Sequence, residues 1–138
     1  MIIWIAGQSK SGKTTLAKQL HEKIKGSVWL DGDSMRQSIN RDLGLGEKAR
    51  IENNMRIARL AKEMENQGHD VIVSTICPYR KLRFDIKRIT DCQFILLRGG
   101  MEHPDYPFEY GDYEDTKMQS EHDGNVEVDT YGEARKKK

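Results

Sequence analysis

IIWIAGQSKSGKTTL, residues 2–16, decides the fold. The apolar run Ile2 to Ala6 stops at Gly7, and GQSKSGKT, Gly7 to Thr14, fits the pattern GxxxxGK[ST]. In such a loop the glycines let the backbone turn tightly, and successive N–H groups line an anion-sized nest. The following helix points its positive end at phosphate. Lys13 is the residue that reaches the β- and γ-phosphates, and Thr14 the one that holds Mg²⁺. The context the motif demands is present on both sides, a buried strand before it and an amphipathic helix after it. Gly7, Gln8, Ser9, Lys10, Ser11, Gly12, Lys13, Thr14 and Thr15 are therefore the candidate ATP-binding residues.

Outward from the loop, the chain alternates strand and helix. Leu16, Ala17, Leu20 and Ile24 recur at helical spacing within Thr14 to Lys25, and Gly26 stops that helix. SVWLD, Ser27 to Asp31, reads as a second strand, and Asp33 to Asn40 as a short helix followed by a glycine-containing loop. Lys48 to Gln67 is a long helix with Ile51, Met55, Ala58, Ala61 and Met64 on one side, and Gly68 ends it. Val71 to Thr75 is a third strand, Tyr79 to Arg88 a basic helix, Gln93 to Leu97 a fourth strand and Val126 to Val128 a short fifth. The expected fold is α/β of the P-loop NTPase type, a parallel sheet of about five strands flanked by helices. Ligands belong over the carboxyl ends of the strands.

The 138 residues suit one kinase domain, 1–138. Within it, 99–125 is expected to be a long acidic loop or a partly disordered segment, and 134–138 a basic tail. Residues 1–100 hold 18 Lys/Arg against 11 Asp/Glu, whereas 101–133 hold one lysine against 11 acids. A basic body suits a polyanionic small substrate, and a solvated charged surface is the equal alternative. No stretch of 18 apolar residues exists, so neither a membrane span nor a secretory signal is expected, and the protein should be cytoplasmic. Cys77 and Cys92 lack metal-site spacing, and His21, His69, His103 and His122 are scattered, so no structural zinc is expected.

Three further clusters follow the strands. LDGDSMR, Leu30 to Arg36, sets Asp31 and Asp33 at a carboxyl end with Arg36 one turn beyond. A carboxylate there can orient Mg²⁺ or accept a proton from an attacking hydroxyl, and an arginine can grip an anion in a fork. Capping of a helix by Asp33 weighs equally. ARIENNMR, Ala49 to Arg56, puts Arg50, Asn53 and Arg56 on one helical face, with a solvated surface as the other reading. TICPYRKLR brings Pro78, Tyr79 and Arg80 just beyond the third strand.

Read together as GQSKSGKTTLA, LDGDSMR, DLGLGEKARIENNMRIA and STICPYR, the chain resembles the adenylylsulfate kinase family from residue 2 to about residue 98. The resemblance implies transfer of the ATP γ-phosphate to the 3′-hydroxyl of adenosine 5′-phosphosulfate, in sulfate assimilation. It implies ATP and Mg²⁺ as cofactors, Lys13 and Asp33 as catalytic residues, and Thr14 and Asp31 as the metal-holding pair. By the same resemblance, Asp33, Arg36, Arg50, Asn53, Pro78, Tyr79 and Arg80 hold a small-molecule nucleotide acceptor. A homodimer is compatible with this reading, and nucleic acid is a minor alternative partner. The chain departs from the family pattern at Lys10, where a loop glycine is usual, at Met55, where an arginine is usual, and at Cys77, where a serine is usual. RGGMEHPDYPFEYGDYED follows the fourth strand where the family has an arginine-containing lid helix and a lysine-rich loop. A different nucleotide-linked or nucleic-acid hydroxyl as acceptor, and a nucleotide sensor with little transfer activity, are the alternative functions.

Overall fold

The computed structural model describes residues 1–111 and 126–129. In chain order the elements are β1 (Ile2–Gly7), α1 (Lys13–Lys23), β2 (Val28–Asp31), α2 (Gly32–Gln37), α3 (Glu47–Asn66), β3 (Val71–Thr75), α4 (Arg80–Thr90), β4 (Gln93–Arg98) and β5 (Val126–Asp129). They form one five-stranded sheet in the order β2-β3-β1-β4-β5, and every neighbouring pair is parallel. Of the lengths read from sequence, the short helix differs most, ending at Gln37 rather than Asn40.

The unbroken apolar run of β1 is explained by burial on both faces, since alternate strand residues point to opposite sides. Ile2, Trp4 and Ala6 join Ile57, Ala58 and Ala61 of α3 and Leu82 and Ile86 of α4 in the larger core. Ile5, with Ile3 beside it, packs on the other face against Ala17, Leu16, Leu20 and Ile24 from α1 and its end. Ala58 and Ala61 are fully buried, and their small side chains let α3 lie close to the sheet. Ile57, absent from the sequence-derived stripe, is fully buried in the same core. Gly26 (φ 77°) and Gly68 (φ 98°) end α1 and α3 in the left-handed conformation that glycine tolerates best.

After β4 the chain is irregular, as its lack of periodicity predicts, yet it is tied to the body. Phe108 is part of the larger core. The Glu109 N–H donates to the Pro78 carbonyl at 2.8 Å, and the Arg83 guanidinium donates to the carbonyls of Glu109 and Gly111. The remainder of the expected acidic loop, 112–125, and the basic tail lie outside the described residues. Among the described residues no helix is long and apolar enough to cross a membrane.

Candidate active site

The carboxyl ends of β1, β2 and β3 are level with one another: Ala6 pairs with Thr75, and Asp31 with Ser74. This register sets the phosphate loop, the LDGD segment and the end of β3 around one cleft. Lys13, Thr14, Asp31, Asp33, Arg36, Arg50 and Asn53 all line it. Seven sequence-predicted residues from three separate motifs are thus brought together.

The loop itself is tightly built. A Cβ on Gly7 would lie 2.5 Å from Ser11 Oγ and 3.2 Å from Leu97 Cβ, so only glycine fits there. Gly12 (φ 95°) turns the chain into α1, and Lys10 (φ 62°) adopts the left-handed conformation that a glycine usually supplies. Lys13 Nζ donates to the Gln8 carbonyl at 3.0 Å, folding the side chain back over the loop. Burial lowers the pKa of Lys13, opposed by the negative charges of Asp33 and Asp31. Thr14 and Thr15 are exposed at the start of α1.

Asp31, not Asp33, caps α2: its carboxylate accepts from the Ser34 N–H at 3.2 Å. The capping alternative for Asp33 is therefore corrected, because a helix beginning at Gly32 leaves its cap to the preceding residue. Asp33 is exposed and ion-paired with Arg36 at 2.8 Å, one turn along. Asn53 accepts from Asn40 Nδ2 at 2.9 Å and donates to the Gly32 carbonyl at 3.5 Å, so its amide ties α3 to the start of α2. Arg50 is 8% exposed, and its guanidinium carbon lies 4.4 Å from the centre of the Tyr106 ring. Arg56, on the same helical face in the sequence reading, is turned instead to Asp42, Glu52 and Asn40. Those acids raise its pKa further above the ordinary arginine value.

Pro78, Tyr79 and Arg80 are not among the residues lining this cleft. Pro78 is buried and holds Glu109 through its carbonyl. Tyr79 lines a separate groove between α3 and α4 with Ile51 and Met55. The Arg80 N–H donates to the Glu109 carboxylate at 2.9 Å, and its guanidinium donates to the Tyr110 carbonyl at 3.2 Å. Their chemistry in this structure is to seat residues 109–110. Cys77, just before them, is fully buried with φ 38°, and burial pushes its thiol up to about 12, which leaves it without a reactive thiolate.

Sequence reasoning passed over Asn54 and Ser74 as site residues, both buried in the cleft wall. It also passed over residues 99–106. Gln8 Nε2 donates to the Gly99 carbonyl at 2.7 Å, and the Met101 N–H donates to the Ser9 carbonyl at 2.8 Å. The Tyr106 hydroxyl donates to the Leu45 carbonyl. Among the described residues, three buried side-chain atoms lack a hydrogen-bond partner: Ser11 Oγ, Arg50 Nε and Asn54 Oδ1. One belongs to the phosphate loop and two to residues lining the cleft. Such atoms cost about 1–3 kcal/mol each when left unsatisfied; Ser11 Oγ lies against Gly7, whereas Arg50 and Asn54 belong to the cleft wall.

The cleft suits Mg²⁺ through its donor chemistry. Thr14 and Asp31 offer a hydroxyl and a carboxylate, and no group of three or more His, Cys, Asp or Glu stands ready as a complete cage among the described residues. Mg²⁺ prefers this arrangement, one or two protein oxygens completed by phosphate and water.

A family model described as adenylylsulphate kinase matches residues 1–118, reaching beyond residue 98 where the sequence resemblance ends. The chain is 44% identical over 86 residues to the bifunctional enzyme NodQ of Rhizobium meliloti, covering 59% of this chain and 13% of NodQ. It is 43% identical over 86 residues to adenylyl-sulfate kinase 3 of Arabidopsis thaliana, covering 59% of this chain and 41% of that one. The chain thus spans less than half the length of either relative. Among solved structures, the Mycobacterium tuberculosis APS kinase CysC in complex with AMPPNP and APS superposes with a TM-score of 0.60 at 31% identity, covering 69% of this chain and 60% of that one.

Proposed function

Because the chain belongs to the adenylylsulfate kinase family, we propose that it transfers the γ-phosphate of ATP to the 3′-hydroxyl of adenosine 5′-phosphosulfate. The observation that carries this reading is the convergence on one cleft of Lys13 and Thr14 from the phosphate loop with Asp31, Asp33, Arg36, Arg50 and Asn53. They are polar groups suited to two anionic ligands, a donor and an acceptor.

In this mechanism the loop amides and the Lys13 ammonium neutralise charge that builds on the transferred phosphoryl group. Lys13 has three N–H donors and spends one on Gln8, which leaves two for phosphate oxygens. Thr14 and Asp31 would hold Mg²⁺, which would supply positive charge to offset that of the phosphates. Arg50 and Arg36 grip the anionic part of the acceptor, and Asp33 orients its hydroxyl and accepts the proton as the new O–P bond forms. Asp33 is already one turn from Arg36 and paired with it, so an anion arriving at Arg36 frees the carboxylate for that task.

Incubation with labelled ATP and a panel of acceptors, followed by mass measurement of the products, tests the reading. The panel holds adenosine 5′-phosphosulfate, other nucleotides and nucleic-acid ends. A gain of one phosphate on adenosine 5′-phosphosulfate alone is the expected result. Turnover of another panel member, or nucleotide binding without turnover, overturns the acceptor assignment.

A further inference from the structure

Asp31 is held by a hydrogen-bond chain that no sequence motif announces. The Trp29 indole N–H donates to Ser74 Oγ at 2.9 Å, and Ser74 Oγ donates to Asp31 Oδ1 at 2.8 Å. The direction is forced. Indole nitrogen is a donor only, so the serine oxygen must accept from it, and the single hydroxyl proton is left for the carboxylate. The second oxygen, Asp31 Oδ2, accepts from the Ser34 N–H at 3.2 Å. Each carboxylate oxygen is therefore anchored from the protein side, and the remaining lone pairs are left for the cleft.

The strand register builds this chain. Ser74 on β3 sits directly opposite Asp31 on β2, and Trp29 is two residues before Asp31, so its side chain shares that face of the sheet. It is the face that carries α1, because Trp29 packs with Leu16 and Leu20. The face leads to the start of α1, where Lys13 and Thr14 line the cleft with Asp31. Ser74 is 1% exposed, a position where an apolar residue would pack as well if burial were its only task.

We propose that Ser74 and Trp29 are positioning residues that fix the Asp31 carboxylate for a divalent cation bound with the donor nucleotide. This rests on the nucleotide half of the proposed function and not on the identity of the acceptor. A carboxylate held in one orientation loses no rotational freedom when the ion arrives, and partners of this kind typically account for about 10- to 100-fold in metal affinity.

The test is Mn²⁺ binding to the protein–ADP complex, read as loss of the free-ion signal in electron paramagnetic resonance, beside ADP affinity measured in EDTA. Ser74→Ala should weaken Mn²⁺ binding about tenfold or more, with metal-free ADP affinity unchanged. Trp29→Phe should weaken it by a smaller factor, and Ser74→Thr, which keeps the hydroxyl, should recover most of the affinity. Mn²⁺ affinity in Ser74→Ala within twofold of the parent overturns the proposal. So does an equal loss of metal-free ADP binding, the mark of a merely structural role. Turnover of adenosine 5′-phosphosulfate by the unaltered protein is scored separately. Metal affinity that depends on Ser74 without that turnover upholds the positioning role and rejects the acceptor, and the reverse pattern rejects only the positioning role.

Discussion

Lys13 is an ammonium held partly out of water, and its lowered pKa records the cost. The folded protein releases this proton before the unfolded chain does. Between the lowered value and 10.5 the unfolded state therefore binds more protons, and stability rises with pH across that window. Below the window the cost is fully present. Phosphate reverses the balance by favouring the charged form, so nucleotide binding just under pH 10.5 should be accompanied by proton uptake. Calorimetry in buffers of different ionisation enthalpy measures this, and its disappearance in Lys13→Met assigns it. The same variant should lose at least about 2 kcal/mol of MgATP binding or transition-state stabilisation while melting close to the parent. Asp33→Asn probes the proposed proton acceptor. Asp31 is the cap and the Asp33–Arg36 pair is exposed, so stability should move by less than about 1 kcal/mol. Turnover should fall about 10²-fold or more as proton acceptance is lost, with ATP binding intact. A normal melting curve beside a near-parental kcat would remove Asp33 from the mechanism.

The phosphate loop is not a free-standing element, because residues 99–101 are bonded to its back. Gly100 (φ 80°) is the tightest point, where a Cβ would meet Ser9 O at 2.5 Å and Ser11 N at 2.9 Å. Gly100→Ala should therefore destabilise the protein by about 1–3 kcal/mol, through strain at a left-handed position and displaced loop backbone. Nucleotide affinity should fall with it, since the displaced backbone at Ser9 and Ser11 belongs to the phosphate loop. Calorimetric melting and ADP titration on one sample check both, and a variant indistinguishable from the parent would mean that the strap has no hold on the loop. This contact also marks the limit of what sequence could tell. The buried strands were legible because runs such as VIVST and IIWIA leave few alternatives, and the loop because its pattern fixes its own backbone. The strap was not, because RGGMEHPDYPFEY has no period, and its ties at Ser9, Leu45 and Pro78 are to partners far away in the chain. Asp31 and Asp33 were both legible as site residues. Which of them caps α2 was not, because that turns on a start at Gly32, one residue earlier than the sequence suggested. Arg56 shares a face with Asn53, as the spacing implies, and both bond Asn40, but spacing does not say which further neighbour claims its guanidinium, and Asp42 in the preceding loop does.

At the scale of the molecule, the proposed mechanism has the two substrates served by opposite faces of one sheet. α1, which carries Lys13 and Thr14, packs on the face of Ile5 and Leu97, whereas α3, which carries Arg50, packs on the face of Trp4 and Phe94. The cleft forms where the two layers meet over the strand ends, so the proposed donor and acceptor groups come from different helices and should be energetically separable. Arg50 is the cleanest probe of that separation. It lines the cleft and its planar head is backed by the Tyr106 ring, an arrangement suited to gripping an anion. Arg50→Ala should raise the acceptor KM at least about tenfold, the loss expected when a charge-assisted hydrogen bond worth about 1.5–3 kcal/mol is removed, while the KM for ATP stays within about twofold. Arg50→Lys keeps the charge but not the fork, so it should fall between the parent and alanine. The measurement is initial rate against each substrate with the other saturating. Equal rises in both KM values would mean that Arg50 maintains the cleft as a whole, and that the two faces do not divide the substrates between them.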